Sequence, residues 1–235
     1  MKKILFVLES RASYGYAKNL IEIFYKNKNK LNFKTLVTGT HLSRELGSSI
    51  KDLKKDKIKI NYKHKFNHND LNMGIAKIIE KTNKILKEFR PNIVFIFGDR
   101  IELIGVAIAC TYSNNVVAHV QAGDRSGHID DVTRMTLAKL CHIHFPATEK
   151  AKKRLIKLGE DKFRIFKVGA PQLDKINYTK IKNLKNIKYN NNTIFLNEKY
   201  LLVIQHTVFK DKENYKKYFE NTIKACLSFN YKIYL

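Results

Sequence analysis

The stretch Asn92-Ile93-Val94-Phe95-Ile96-Phe97-Gly98-Asp99-Arg100-Ile101-Glu102 carries the strongest structural signal in the chain. An apolar run of this length, with no polar residue alternating through it, suits a strand covered on both faces, as strands of parallel sheets are. It stops abruptly at a glycine followed by an acid and a base. Open α/β sheets hold their ligands at the carboxyl ends of parallel strands, so Asp99 and Arg100 are expected in a cleft. A second apolar run, Val116 to Val120, ends on Gln121-Ala122-Gly123-Asp124 and delivers polar groups to the same edge. Two strand ends are thus expected to face one crevice.

The same grammar repeats on either side. The amino terminus, Met1 to Leu8, reads as a first strand, followed by the polar loop Glu9 to Tyr16 and a helix from Ala17 to Tyr25 with apolar residues at Leu20, Ile23 and Phe24. Phe33 to Val37 is a second strand, and a short strand is expected near Ile58 to Ile60. Leu71 to Phe89 carries one apolar stripe of a long helix that ends before Pro91. Helices are expected from Arg100 to Thr111, from near Ile129, and from Thr148 to Leu158, the last closed by Gly159. Strands are expected at Ile143 to Ala147 and Phe163 to Val168. This alternation predicts an α/β fold, a Rossmann-like parallel sheet with helices on both faces. The first loop lacks Gly-x-Gly-x-x-Gly, so no dinucleotide cofactor is expected.

From Asp174 to Glu198 the composition shifts to lysine and asparagine with little periodicity. The expected organisation is a domain over 1–174, a linker or surface excursion over 175–199, and the start of a second domain over 200–235. That second piece reads as a strand from Tyr200 to Ile204, a helix from Lys212 to Ser228 and a strand from Tyr231 to Leu235. One such unit closes no core alone, so a carboxyl-terminally truncated protein is expected.

The formal charge of +24 raises the question of nucleic acid or a membrane surface. Lysines spread along the whole chain and only eight arginines argue instead for a solvated surface. No stretch approaches the ~20 apolar residues of a membrane span. The basic amino terminus lacks a cleavage pattern and is read as strand rather than leader. Three scattered cysteines fit a reducing, cytoplasmic setting and no disulfide framework. Cys141, His142 and His144 have the wrong spacing for zinc and are read as packing or hydrogen-bonded core histidines, so no metal is expected. His41 follows the second strand and is a candidate substrate contact, although a turn role is the plainer reading. Arg11 offers a planar fork for a phosphate or a uracil edge.

Taken together, several motifs resemble the UDP-N-acetylglucosamine 2-epimerase family. They are Gly98-Asp99-Arg100-x-Glu102, His119-x-x-Ala122-Gly123-Asp124-x-Ser126-Gly127-x-Ile129-Asp130-Asp131-x-x-Arg134, Lys139-Leu140-x-His142-x-His144-Phe145, Val168-Gly169-Ala170-Pro171 and Gln205-His206, with Arg11-Ala12-x-Tyr14-Gly15 and Thr38-Gly39-x-His41-Leu42 upstream. The resemblance is strongest to the hydrolysing branch, which serves sialic and legionaminic acid synthesis. It implies two Rossmann-like domains in a glycosyltransferase-B-like arrangement, a UDP-sugar substrate, a homo-oligomer and no cofactor. By the resemblance, Asp99 and Asp130 are catalytic carboxylates supported by Arg134. His206 acts from the second domain, and Arg11, with His41, Arg100 and Glu102, contacts the substrate or UDP. Where the family often has a glutamate, this chain has Gln121, which exchanges no proton at neutral pH; Asp124 or Glu102 is then the substitute. Asp130 and Asp131 also suit a helix start, where the dipole favours acids. The rival readings are a non-hydrolysing epimerase or glycosyltransferase of the same fold, and a basic binding fragment without catalysis.

Overall fold

The computed structural model describes residues 1–45, 48–127, 130–176, 184–189, 192–205 and 213–235. They fall into two compact units, Met1–Lys175 and Ile176–Leu235.

In the first unit β1 (Lys2–Leu8) pairs in parallel with β2 (Leu31–Val37) on one side and β4 (Ile93–Phe97) on the other. β3 (Tyr62–Lys63), β5 (Val116–Val120) and β6 (Ile143–Phe145) complete an all-parallel sheet of order β3-β2-β1-β4-β5-β6. The order reverses between β1 and β4, which opens a crevice at their carboxyl ends. Side chains alternate across β1. Ile4, Phe6 and Leu8 pack with α1 (Arg11–Lys26) and α2 (Ile50–Lys55), whereas Leu5 and Val7 pack with α3 (Leu71–Phe89), α4 (Glu102–Tyr112) and α5 (Asp130–Leu140). Both faces are therefore covered, as the unbroken apolar run at Ile93 to Phe97 requires. α6 (Glu149–Lys157) closes a third cluster through Leu155, with Ala122, Ala138 and Ile165.

Four local expectations need correction. α1 begins at Arg11 rather than Ala17, because Ser10 and Ser13 form a reciprocal capping box: Ser13 N–H donates to Ser10 Oγ at 3.2 Å and Ser10 N–H donates to Ser13 Oγ at 3.1 Å. Apolar spacing alone does not reveal that first turn. α2 lies in a stretch that reads as merely polar, and Leu53 is its one buried residue. The strand expected at Ile58 to Ile60 forms instead at Tyr62–Lys63. Thr35 Oγ1 donates to the Lys59 carbonyl and Asn61 Oδ1 accepts from Thr35 N–H, so side chains occupy the places a ladder would use. The strand expected at Phe163 to Val168 is a 3-10 turn over Lys162–Arg164 and a single parallel bridge from Ile165 to His144.

The second unit contains an antiparallel pair, β7 (Asn186–Tyr189) and β8 (Asn192–Phe195), within the stretch expected to be a linker. It also holds a parallel pair, β9 (Tyr200–Leu202) and β10 (Lys232–Tyr234), separated in sequence by α7 (Tyr215–Leu227). Among the described residues no helix is long and apolar enough to cross a membrane.

Candidate active site

The carboxyl edge of the first unit's sheet gathers polar and charged side chains from the ends of β4 and β5 and from α1, α5 and α6. Asp99 follows Gly98 at the end of β4 and is ion-paired with Arg134, which projects from α5. Burial raises the Asp99 carboxyl above the ordinary aspartate range, the Arg134 guanidinium opposes that rise, and the charge of Asp130 adds to it. A carboxyl whose proton affinity is raised by burial is a candidate for proton transfer. Asp130, the first residue of α5, therefore lies within electrostatic reach of Asp99 from a separate element.

Its neighbour Asp131 has a different task. Asp131 accepts from Ser126 N–H at 2.7 Å, from Gly127 N–H at 2.8 Å and from the Ser126 hydroxyl at 3.0 Å, and it pairs with Arg134 at 3.2 Å. These bonds lower its pKa and make it the anchor of the loop before α5. The two adjacent acids thus divide: Asp131 secures the loop and braces Arg134, while Asp130 opens the helix.

At the end of β5, Gln121 adopts a left-handed backbone with φ 62°, unusual for a residue with a side chain. Its N–H donates to the Phe145 carbonyl at 3.1 Å, and its side-chain amide donates to Gln172 Oε1 at 3.4 Å. Asp124 is raised by burial, against the pull of Arg134 and Arg154. Arg154 donates to the Gly123 carbonyl. Gly123, at φ 76°, lies so close to α6 that a Cβ would stand 2.7 Å from both the Ala151 carbonyl and Leu155, so the loop reaches the edge only with glycine there.

Tyr16 of α1 faces the same cluster. Its phenol is raised first by burial and then by Asp99, with Arg134, Asp124 and Glu9 also within reach. Apolar spacing does not single out Tyr16, because the first turns of α1 that carry it are set by the Ser10 and Ser13 capping box. Sequence reading also passes over Glu9, although an acid at a strand's carboxyl end is the signal that identifies Asp99. Glu9 is buried at 1% exposure, with its pKa raised to about 8 by burial and by the nearby Glu102 charge.

That shift has a consequence for stability. Below the unfolded value, 4.5, both states keep the proton; between 4.5 and about 8 only the folded state does, so stability falls as pH rises through this window. Glu9→Gln removes the liability. Urea melts should show the variant gaining on wild type from pH 5 upward, by ~1–3 kcal/mol at pH 8.5. A difference that does not change with pH would rule out an ionising Glu9.

Other expected site residues are placed less openly. Glu102 has no exposed surface; it lies near Arg100 Nε at 3.7 Å and His68 Nε2 at 3.9 Å, and neither carboxyl oxygen has a hydrogen bond. His41 is likewise wholly buried, edge-on to Tyr14, with Nδ1 2.8 Å from the Ser49 hydroxyl, and burial lowers its pKa to about 4. Both lie in the interior of the first unit rather than on its surface. Arg11 is exposed in the first turn of α1. His206 lies outside the described residues. His142 and His144 are hydrogen-bonded, to Val117 N–H at 3.2 Å and to Glu160 at 3.2 Å, and Cys141 is buried in the core.

A family model described as UDP-N-acetylglucosamine 2-epimerase matches residues 25–235. The chain belongs to this family. It is 31% identical over 244 residues to the UDP-N,N'-diacetylbacillosamine 2-epimerase (hydrolyzing) of Legionella pneumophila, an alignment that covers 99% of this chain and 63% of that protein. To the UDP-N-acetylglucosamine 2-epimerase of Neisseria meningitidis it is 30% identical over 194 residues, covering 80% of this chain and 50% of the relative. The chain thus spans between half and two thirds of the length of these relatives. The crystal structure of the Neisseria meningitidis UDP-GlcNAc 2-epimerase bound to UDP-GlcNAc shares the fold, with a TM-score of 0.75 at 22% identity over 98% of this chain and 65% of that one.

Proposed function

We propose that this epimerase-family protein is of the hydrolysing type. It would release UDP and an N-acetylmannosamine-type sugar from a UDP-N-acetylglucosamine-like substrate. The observation that carries the reading is the pairing of a raised, largely buried Asp99 with Arg134, and Asp130 close by on a separate element. Such an arrangement suits a ring approached from two sides. The C1–O bond breaks with its electron pair leaving on the diphosphate, and cationic character at C1 acidifies the C2 hydrogen. A carboxylate takes that proton, the C2–H pair becomes the C1–C2 double bond of a glycal, and Arg11 and Arg100 meet the departing charge. Water then adds its oxygen to C1, the second carboxyl protonates C2 from the opposite face, and the proton that the water sheds returns to that carboxylate. Arg134 keeps Asp99 oriented, and Gln121 holds the sugar by its amide. Sugar and UDP are the balanced products.

The name of the Legionella pneumophila relative supports the hydrolysing reading and points to a diacetylated sugar as a second substrate to try. The Neisseria meningitidis relative carries no such qualifier, so a non-hydrolysing epimerase is the alternative. Incubation of the full-length protein with UDP-N-acetylglucosamine and UDP-N,N'-diacetylbacillosamine in D2O separates them. We expect free UDP and a free 2-epimeric sugar carrying deuterium at C2. An epimeric UDP-sugar carrying deuterium would support the non-hydrolysing alternative, and the absence of C2 exchange from both substrates would sink the epimerase reading.

A further inference from the structure

His119, the fourth residue of β5, has no exposed surface. Its Nε2 lies 2.6 Å from the carbonyl oxygen of Gly98, the residue before Asp99. A carbonyl only accepts, so the contact requires a proton on Nε2. Nδ1 is buried with no hydrogen-bond partner, and burial lowers the ring's pKa to about 4, helped by Arg134 and by His144. The imidazole is therefore a neutral donor at physiological pH. Gly98 N–H meanwhile donates to the Val120 carbonyl at 3.0 Å, so β5 grips this glycine by both its backbone groups. Behind His119 stands its register partner His144 on β6, 3.2 Å from Glu160, which in turn pairs with Lys139 at 2.8 Å.

A polar ring inside a covered sheet costs stability unless it does something an apolar residue of the same size does not. Here it fixes one oxygen, and that oxygen belongs to the peptide from which Asp99 extends. We propose that His119 is a positioning residue, whose Nε2–H holds the Gly98–Asp99 peptide so that the Asp99 carboxyl stays set against Arg134 and the reacting sugar. The inference rests on the reading of Asp99 as a proton-transfer group.

Two variants and one spectrum test it. His119→Gln places an amide donor close to the position of Nε2, and His119→Leu fills the space without a donor. In the full-length protein, His119→Leu should lower kcat ~10–100-fold with KM changed less than ~3-fold, and His119→Gln should recover to within ~5-fold of wild type. Nitrogen-15 spectra of the unmodified protein should show a protonated Nε2 and a bare Nδ1 down to about pH 5. The proposal is overturned by a proton on Nδ1, by titration in the ordinary histidine range, by wild-type kcat in His119→Leu, or by a folded His119→Gln as impaired as the leucine variant. If the leucine variant does not fold, the tautomer together with the kcat of the glutamine variant decides. Should the wild type process no UDP-sugar, the functional reading fails separately. His119 is then judged by the carbon-13 titration of the Asp99 carboxyl: a midpoint displaced in His119→Leu and restored in His119→Gln supports positioning, and one midpoint in all three proteins overturns it.

Discussion

Asp99→Asn is expected to lower turnover of a UDP-sugar by ~100-fold or more while leaving the fold and UDP binding in place, the usual scale for loss of a positioned acid or base. The asparagine side chain has nearly the same shape and its Oδ1 still accepts from Arg134, so the ion pair becomes an ordinary hydrogen bond rather than a void. What it loses is the ability to carry a proton. Burial raises Asp99 and Arg134 opposes that rise, an arrangement that serves proton transfer better than a plain surface ion pair does. Asp130→Asn should show a loss of similar size if the second face of the ring is served from the start of α5. Steady-state rates of UDP release, with a thermal melt as the control for folding, check both. Near-wild-type turnover of Asp99→Asn would remove Asp99 from the chemistry, and the same result for Asp130→Asn would leave that residue a helix-start acid only.

Gly39→Ala is expected to cost the first unit ~3 kcal/mol or more, the upper range for overpacking combined with a strained backbone. Gly39 sits at φ 54°, where an L side chain is disfavoured, and a Cβ built there would stand 2.5 Å from the Glu9 carbonyl and 2.6 Å from Glu102 Oε1. The Glu102 side chain is buried and the Glu9 carbonyl belongs to the backbone where β1 meets α1, so neither gives way easily. The His41 N–H and the Thr40 hydroxyl both donate to that same Glu9 carbonyl, at 3.3 Å and 3.2 Å, and any shift loosens them too. A drop in melting temperature of ~6–12 °C should result. A melting temperature within ~2 °C of wild type would mean that the turn after β2 relaxes freely.

The parallel sheet was legible chiefly because its central strand β4 is an unbroken apolar run ending in Gly-Asp-Arg and the neighbouring β5 ends in Gln-Ala-Gly-Asp, and such runs have few other stable settings. The elements that escaped or moved were those set by single side-chain hydrogen bonds. The Ser10 and Ser13 box starts α1 six residues earlier than apolar spacing suggests, and Thr35 with Asn61 displaces the short edge strand. Neither effect leaves a periodic trace. The Phe163 to Val168 run looks like a strand by composition, yet it meets β6 through one isolated bridge, with Phe166 N–H donating to the His144 carbonyl, while Val168 N–H donates to the Pro146 carbonyl just past the strand.

By itself the sequence determined the α/β class, the family, and which acids and arginines stand at strand ends, because these depend on residue types and their order along the chain. Only the tertiary structure decided how those residues are paired and protonated. Arg134 of α5 meets Asp99 at the end of β4 across 35 positions of sequence. Asp131, not Asp130, ties the preceding loop, a distinction between neighbours that no spacing rule makes. Glu102, His41 and Glu9 are all carried inward, whereas Tyr16 is brought within reach of Asp99. The physical reason is that burial and the charges met at the end of folding set a group's pKa and reach, and both are properties of the packed sheet edge rather than of any local stretch.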